Sequence, residues 1–260
     1  MELGLKDRTA VVCASSSGIG FAAARRFADE GAQVVLVART PARLNEAAAV
    51  IEARCGHHPR IHAADLTTPA GRESVVAAIP APDILVASPG IPQRPVRYQQ
   101  LDASAWAEWF QAHFHSAIDL IHAYAPGMCE RGFGRIVNIS ANFIKFPQVG
   151  VGQSHAARLA LAGAIASLVR EVAPYNVTIN SVLPGLVETP ALKNALTGRA
   201  ESSGVSYEEV EKEVRLRCAA DRIAKPEELG DLIVMLCAAQ MGYLTGQNIV
   251  SDGGAYQGLF

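Results

Sequence analysis

Residues 9–20 read Thr9-Ala10-Val11-Val12-Cys13-Ala14-Ser15-Ser16-Ser17-Gly18-Ile19-Gly20, and this stretch decides the fold of the chain. Its first five residues form a short apolar run, which is typical of a buried strand. From residue 18 to residue 30, apolar side chains recur at helical spacing and charged side chains lie largely opposite them. A glycine-containing turn between a strand and a helix lets backbone N–H groups and the helix N-terminus approach a phosphate. The stretch therefore predicts a phosphate-binding strand–loop–helix unit.

The same alternation of strands and helices continues along the chain. Further strand-like runs at residues 33–38, 60–64 and 83–87 are separated by helical segments, the first of which opens at Pro41. Continuous apolar strands between amphipathic helices are typical of a parallel sheet that is covered on both faces. With right-handed crossovers, we predict an α/β fold, a single-domain doubly wound (Rossmann-type) parallel sheet with helices on both faces.

The second half of the chain completes this sheet. Two long helices are predicted at about residues 103–130 and 152–173, with a strand at 135–139 between them, and two more strands follow at 177–182 and 248–250. The segment 189–221 is polar and rich in Glu, Lys and Ser. We interpret it as a helical flap over a substrate pocket, with a solvated surface insertion as the alternative. Residues 1–260 are expected to form one domain.

The composition narrows the class of protein. A chain of 260 residues, half of them hydrophobic, suffices for one large α/β domain. The formal net charge of −2 gives no reason to expect nucleic acid or an anionic membrane as a partner. The sequence shows no signal peptide, and no apolar run approaches the roughly 18 residues that a membrane span needs. Five scattered cysteines without a Cys-x-x-Cys pair are typical of free thiols in a reducing cytosol, so we expect a cytoplasmic protein.

Several stretches, read together with residues 14–20, resemble the short-chain dehydrogenase/reductase family in its classical type. They are Gly134-Arg135-Ile136-Val137-Asn138-Ile139-Ser140, Asn180-Ser181-Val182-Leu183-Pro184-Gly185 and Ser251-Asp252-Gly253-Gly254. The resemblance covers nearly the whole chain. It implies a nicotinamide cofactor, a small-molecule substrate and a homo-oligomer, with a tetramer expected first and a dimer next.

The resemblance also implies which residues contact the cofactor. These are Ser15, Ser17, Gly18, Ile19, Gly20, Asp65, Leu66, Gly90, Arg158, Pro184, Gly185, Val187 and Thr189. The chain departs from the family at the start of the loop, where Thr-Gly is replaced by Cys13-Ala14. A Cβ at Ala14 tightens the turn, so we expect weaker cofactor binding that is not abolished.

Arg39 and Thr40 indicate which cofactor is used. They follow the second strand, where NAD-dependent enzymes place an acidic group for the ribose 2′-hydroxyl. An arginine there would pair with a 2′-phosphate, and Thr40 could add a hydrogen bond. The alternative is that Arg39 simply begins a loop. We expect NADP(H), with NAD(H) second.

The reaction centre differs most from the family. In the family, a Tyr transfers the proton, a Lys lowers the pKa of that Tyr and bonds the nicotinamide ribose, a Ser orients the carbonyl, and an Asn holds a water. Counting outward from the flanking motifs places the Asn, Ser, Tyr and Lys positions at His113, Ala141, Ser154 and Arg158. Ser140, which precedes Ala141, is counted with His113, Ser154 and Arg158 as a candidate catalytic residue.

These replacements keep the positive charge and remove the proton donor. A serine hydroxyl is a far weaker acid than a tyrosine, whose pKa of about 10 can be lowered by a cation. Arg158 stays protonated and can still bond a ribose. Since a positioned general acid contributes about 10² to 10⁴ in rate, another group would have to replace it for full activity.

The sequence leaves that replacement open. His113 is a candidate because an imidazole titrates near 6.5, and the alternative is a buried histidine that pairs with backbone. His155, Asn142 and Lys145 could also reach the site, or could be ordinary helix and loop residues. Arg158 itself could stabilise an oxyanion while water supplies the proton.

We therefore predict an NADP(H)-dependent oxidoreductase that acts on a carbonyl or alcohol through an atypical catalytic centre. Two alternatives remain, a catalytically silent NADP(H)-binding sensor or partner protein, and a non-redox lyase or isomerase on the same fold. No metal site is expected, because no carboxylate or cysteine completes a ligand set with His57, His58 and His62.

Overall fold

The computed structural model describes residues 2–88 and 96–259, and their strands form one parallel sheet. The strands are β1 (Thr9–Cys13), β2 (Gln33–Ala38), β3 (Arg60–Ala63), β4 (Ile84–Ala87), β5 (Gly134–Ile139), β6 (Val177–Pro184) and β7 (Asn248–Ser251). Their order is β3-β2-β1-β4-β5-β6-β7. Strands β2 and β3 lie on one side of β1, and strands β4 to β7 lie on the other side. The carboxyl ends of β1 and β4 therefore flank the switch point where such sheets bind ligands.

Helices cover both faces of the sheet. They are α1 (Gly18–Asp29), α2 (Pro41–Cys55), α3 (Pro69–Ala78), α4 (Ala103–Phe110), α5 (Ser116–Glu130), α6 (Gly152–Val172), α7 (Pro190–Ser203), α8 (Tyr207–Arg215) and α9 (Pro226–Cys237). One apolar layer packs α1, α2 and α9 on the sheet and includes Phe27 and Ile233. The opposite layer packs α3, α5 and α6 and includes Leu120 and Leu161. The predicted doubly wound fold is confirmed.

The central strands are buried because both faces are covered. Every residue of β4, β5 and β6 is buried. This burial explains why the strands were recognisable as continuous apolar runs and not as alternating patterns. The carboxyl ends of these strands are consequently held rigidly at one edge of the sheet.

Helix α9 is not among the helices predicted from the sequence. It packs along α1, and Gly230 lies at the contact. A Cβ at Gly230 would stand 2.8 Å from the backbone carbonyl carbon of Ala22, which is closer than real Cβ atoms come. The helix pair therefore depends on the missing side chain of this glycine. Since α1 begins at the phosphate-binding loop, α9 supports that loop from behind.

One predicted segment differs from the structure in detail. The long helix expected at residues 103–130 is divided into α4 and α5 by a π-helical turn, Gln111–His115. The segment 189–221 contains α7 and α8, which share a small apolar cluster. Ser206 begins α8 with a capping box to Glu209, a signal readable in the sequence. Across the described ranges, none of the helices has the length and apolar character needed to cross a membrane.

Candidate active site

A cavity of about 420 Å³ opens at the carboxyl edge of the sheet, beside the switch point. Its walls come from the loop after β1, the ends of β2 and β5, the loop after β3, and helices α1, α2, α6 and α7. The lining residues are Ala14, Ser16, Ser17, Gly18, Ile19, Gly20, Val37, Ala38, Arg39, Thr40, Arg43, Ala64, Asp65, Leu66, Ser88, Ile139, Ser140, Arg158, Thr189, Pro190, Ala191 and Asn194. The structure thus brings most of the predicted site residues into one space.

The loop after β1 is held in shape by buried contacts. The Oγ of Ser15 accepts a hydrogen bond from the Val37 N–H at 3.0 Å, which ties the loop to β2. A Cβ at Gly20 would stand 2.6 Å from the carbonyl oxygen of Ala14, so only glycine fits there. Ala14 itself adopts φ of +52°, a conformation that L-residues rarely take. The expected tightening at Ala14 is therefore present as backbone strain.

Two helix N-termini converge on this part of the cavity. α1 begins at Gly18, which has φ of +61°, and an added Cβ there would lie 3.0 Å from the Cγ2 of Thr189. Thr189 caps α7, because its Oγ1 accepts a hydrogen bond from the Leu192 N–H at 3.2 Å. Neither helix has an acidic residue in its first turn. The positive ends of both helix dipoles thus face the same space, which favours an anion.

Arg39 and Thr40 lie on the cavity wall at the end of β2, as predicted, and Arg43 joins them from the first turn of α2. All three side chains are exposed, and neither arginine forms an ion pair with any residue in the described ranges. The sequence reasoning missed Arg43. Arg43 could have been predicted from its spacing, because it follows Arg39 by four residues, which is about one helical turn.

Asp65 and Leu66 lie on the cavity wall after β3, as the resemblance implied. The Oδ1 of Asp65 accepts hydrogen bonds from the N–H and the hydroxyl of Thr67 at 3.0 and 2.8 Å. The carbonyl of Leu66 accepts a bond from Nη1 of the buried Arg72 at 2.9 Å. The Asp65–Leu66 loop is therefore fixed on both sides.

Arg72 connects that loop to the π-helical turn. Its Nε donates to Asp119 at 2.8 Å, and its Nη2 donates to the Oε1 of Gln111 at 3.1 Å. Gln111 belongs to the same turn as His113. No sequence signal marked Arg72, because the contacts cross three separate elements.

Ser154 and Arg158 lie one turn apart on α6. The Nε of Arg158 donates a hydrogen bond to the Oγ of Ser154 at 3.2 Å, and its Nη1 donates to the carbonyl of Ile139 at 3.4 Å. Arg158 lines the cavity although it is only 8% exposed, whereas Ser154 is fully buried. Desolvation by burial lowers the pKa of Arg158 to about 10, so the guanidinium remains charged at neutral pH.

His113 occupies the π-helical turn and is buried, with its ring stacked on Trp109 at 5.2 Å between centroids. Neither ring nitrogen has a hydrogen-bond partner among the residues that the structure describes. Burial and then the charge of Arg158 lower the pKa of His113 to about 3. The value near 6.5 considered from the sequence therefore does not hold, and the imidazole is neutral at physiological pH. The alternative of a histidine paired with backbone is also not what the described residues show.

Ser140 lines the cavity beside these groups, and its buried Oγ has no hydrogen-bond partner within residues 2–88 and 96–259. The three remaining candidates lie outside the cavity wall. Asn142 donates to the Oδ2 of Asp252 at 3.1 Å, Lys145 is exposed, and the ring of His155 lies against Phe143.

Four residues implied as cofactor contacts are not among those that line the cavity. Ser15 is buried in the loop after β1 and bonds to β2, Pro184 ends β6, and Val187 pairs with Ala224 in an isolated bridge. Gly185 lies against Asp252, where a Cβ would approach to 2.6 Å. The predicted contact at Gly90 lies outside the described residues. The described residues hold no group of three or more His, Cys, Asp or Glu side chains that could bind a metal.

Comparison with known proteins gives relatives over the whole length of the chain. A family model described as enoyl-(acyl carrier protein) reductase matches residues 13–256. The uncharacterized oxidoreductase YvaG of Bacillus subtilis is 28% identical over 267 residues, with both chains fully covered. L-sorbose reductase from Gluconobacter frateurii, solved with NADPH and L-sorbose, is 30% identical with a TM-score of 0.93 and full coverage of both chains.

A further relative has an unusual reaction centre. It is an NADPH-bound short chain oxidoreductase from Pseudomonas aeruginosa, described as containing an atypical catalytic center. It is 26% identical with a TM-score of 0.85, and 97% of this chain and 99% of that chain are covered. On the family model, the shared fold and these relatives, the chain belongs to the short-chain dehydrogenase/reductase family of oxidoreductases.

Proposed function

We propose that the protein is an NADP(H)-dependent oxidoreductase that acts on a carbonyl or alcohol through an atypical catalytic centre. One observation carries the proposal. A single cavity joins Arg39 and Arg43 at one end to Ser140 and Arg158 at the other, with two helix N-termini between them. The NADPH that two of the similar structures contain supports the same cofactor here.

The residues present fit this cofactor. Gly18 and Gly20 leave a cradle that a Cβ would fill, and the N-termini of α1 and α7 favour the pyrophosphate. Arg39, Arg43 and Thr40 would hold the 2′-phosphate, because unpaired guanidinium groups form strong charge-assisted hydrogen bonds with phosphate oxygens. When bound, NADPH supplies the hydride for carbonyl reduction.

The catalytic groups would act by holding charge and orientation. Arg158 keeps its positive charge and is aligned along α6 by Ser154. Ser140 lines the cavity and can donate its hydroxyl proton to an oxygen that becomes negative in the reaction, whereas the neutral His113 is buried outside the cavity lining. None of these groups is an acid near neutral pH, so the proton comes from water.

We also propose a role for the segment 189–221. Pro190, Ala191 and Asn194 in α7 line the cavity, which supports a flap that closes over the substrate. The small cluster shared by α7 and α8 would move with it as one unit. A homotetramer in the cytoplasm remains our expectation for the assembly and location of the chain.

The test measures NADPH binding and NADPH oxidation separately. We expect NADPH to bind in calorimetry, and a panel of aldehydes, ketoses and keto acids to contain a compound that the protein reduces. Arg158→Ala should lower kcat/KM at least tenfold with the circular dichroism spectrum unchanged. Arg54→Ala, which removes an arginine paired with Asp29 on the surface, is the matched control.

Two outcomes would contradict the proposal and favour other functions. Tight NADPH binding without oxidation of NADPH by any compound would indicate a catalytically silent NADP(H)-binding protein. Failure to bind NADPH or NADH would indicate a non-redox lyase or isomerase on this fold.

A further inference from the structure

Arg158 is a buried cation without an anionic partner in the described part of the chain. Its guanidinium forms no ion pair with a carboxylate in these residues. Its hydrogen bonds go to the hydroxyl of Ser154 and the carbonyl of Ile139. Its Nη2 makes no hydrogen bond within these residues. A buried charge that is not paired costs several kcal/mol, so such groups are normally neutralised by a neighbour or a ligand.

The buried carboxylate of Asp252 does not serve as that partner. Its oxygens accept hydrogen bonds from Asn142 and from the backbone N–H groups of residues 254, 255 and 256. The carboxylate of Asp65 is likewise occupied by Thr67. The charge of Arg158 therefore faces the cavity uncompensated.

The neighbouring side chains that the structure describes can donate hydrogen bonds, but none of them carries a negative charge that would pair with Arg158. Ser140 lines the same cavity with an unpartnered buried hydroxyl in the described structure, and His113 is close enough for the charge of Arg158 to lower its pKa. In the family, the corresponding Lys faces a Tyr that can ionise. Ser154 cannot take that role, because a serine hydroxyl does not ionise near neutral pH. The anion must then come from a bound molecule.

We propose that Arg158 binds the carboxylate of the substrate, and that the substrate pair is a 2-oxo acid and its 2-hydroxy acid. An arginine fork matches a carboxylate, and a carboxylate attached directly to the carbonyl carbon leaves the carbonyl oxygen for the hydroxyl of Ser140. In the reaction the carbonyl carbon forms a C–H bond with the hydride of NADPH, the π electron pair moves to oxygen, and that oxygen takes a proton from water. NADPH is oxidised to NADP⁺. This assignment rests on the proposed function.

The experiment compares pyruvate with pyruvamide, which has the same shape without the charge. Calorimetry is done on the protein saturated with NADP⁺, so that binding is measured without turnover. We expect pyruvate to bind at least tenfold more tightly than pyruvamide. Arg158→Met should abolish this preference, and Arg158→Lys should keep part of it. The lysine variant is the control for a folding defect in Arg158→Met.

The outcomes separate this inference from the proposed function. Equal binding of pyruvate and pyruvamide, or a preference that persists in Arg158→Met, overturns the assignment of the carboxylate site. If neutral ketones are still reduced with NADPH in that case, the oxidoreductase stands and only the substrate class is wrong. Absence of NADP⁺ binding overturns both.

Discussion

The Nε of Arg158 donates a hydrogen bond to the hydroxyl oxygen of Ser154, 3.2 Å away and one turn earlier in α6. By the count from the flanking motifs, we expect these two residues to stand where the family carries its Lys and its Tyr. The pair keeps a positive charge at the cavity wall, and the hydroxyl of Ser154 helps to orient the guanidinium. This arrangement supports our proposal of a centre that stabilises charge.

Removing Arg39 or Arg43 should weaken NADPH binding and leave NADH binding unchanged. A hydrogen bond to a charged group contributes about 1.5–3 kcal/mol, so Arg39→Ala should raise the Kd for NADPH roughly 10- to 100-fold. Arg43→Ala should act in the same direction. Fluorescence titration with both nucleotides checks this, with Arg54→Ala as control. An equal loss for NADH and NADPH would contradict the role in 2′-phosphate binding.

Replacing Ala14 by glycine should relieve strain in the phosphate-binding loop. Ala14 has φ of +52°, a conformation that costs an L-residue about 1–2 kcal/mol. Part of the gain from glycine is lost, because glycine increases the conformational entropy of the unfolded chain. We expect a net gain of about 0.5–1 kcal/mol in the free energy of unfolding and tighter NADPH binding. Urea denaturation and titration measure the two effects. Ala28→Gly in α1 is the control and should lose stability.

The neutral state of His113 predicts how stability depends on pH. Its folded-state pKa lies at about 3, whereas an unfolded histidine titrates near 6.5. Below pH 6.5 the unfolded chain therefore binds a proton that the folded protein does not, and stability falls as pH decreases from 6.5 toward 3. For one group the loss at pH 5 is about 2 kcal/mol.

His113→Asn should remove this part of the pH dependence. The wild type should lose about 2 kcal/mol more than the variant between pH 7 and pH 5 in urea unfolding. Parallel curves for the two proteins would show that the imidazole is already protonated in the folded state or is not buried.

Ser140→Ala should separate stability from ligand binding. The unpartnered buried hydroxyl destabilises the protein without ligand, so its removal should raise the free energy of unfolding by up to about 1 kcal/mol. Carbonyl reduction should nevertheless decrease. Thr178→Val removes another buried unpartnered hydroxyl, in β6 and outside the cavity wall, and should stabilise without affecting turnover. Unchanged kcat/KM in Ser140→Ala would exclude Ser140 from the reaction centre.

Gly230→Ala should destabilise the support behind the phosphate-binding loop. The added Cβ would meet the backbone of Ala22 at 2.8 Å, and such overpacking costs about 1–3 kcal/mol. Gly198→Ala in α7 is the control, because no atom lies within 4 Å of its added Cβ. Thermal unfolding should show a lower Tm for the first variant only.

The parts of the fold that were predictable depend on local patterns. β1, the loop after it and α1 were recognisable because apolar runs and helical spacing repeat within a few residues. Helix α9 was missed although Pro226 in its first turn and a capping box from Glu228 mark its start in the sequence. The π-helical turn at Gln111–His115 was also missed, because a helix pattern in sequence does not show where one extra residue is inserted.

The sequence by itself determined the family and the Rossmann-type sheet, because these depend on residue types at short, countable spacings; the loss of the Tyr–Lys pair stays a prediction. Only the tertiary structure decided that His113 is neutral, that Arg43 joins Arg39, and that Arg72 links the Leu66 loop to the turn of His113. Desolvation and hydrogen bonding are properties of elements brought together from distant parts of the chain. They therefore determine the chemistry of the site without leaving a pattern in the sequence.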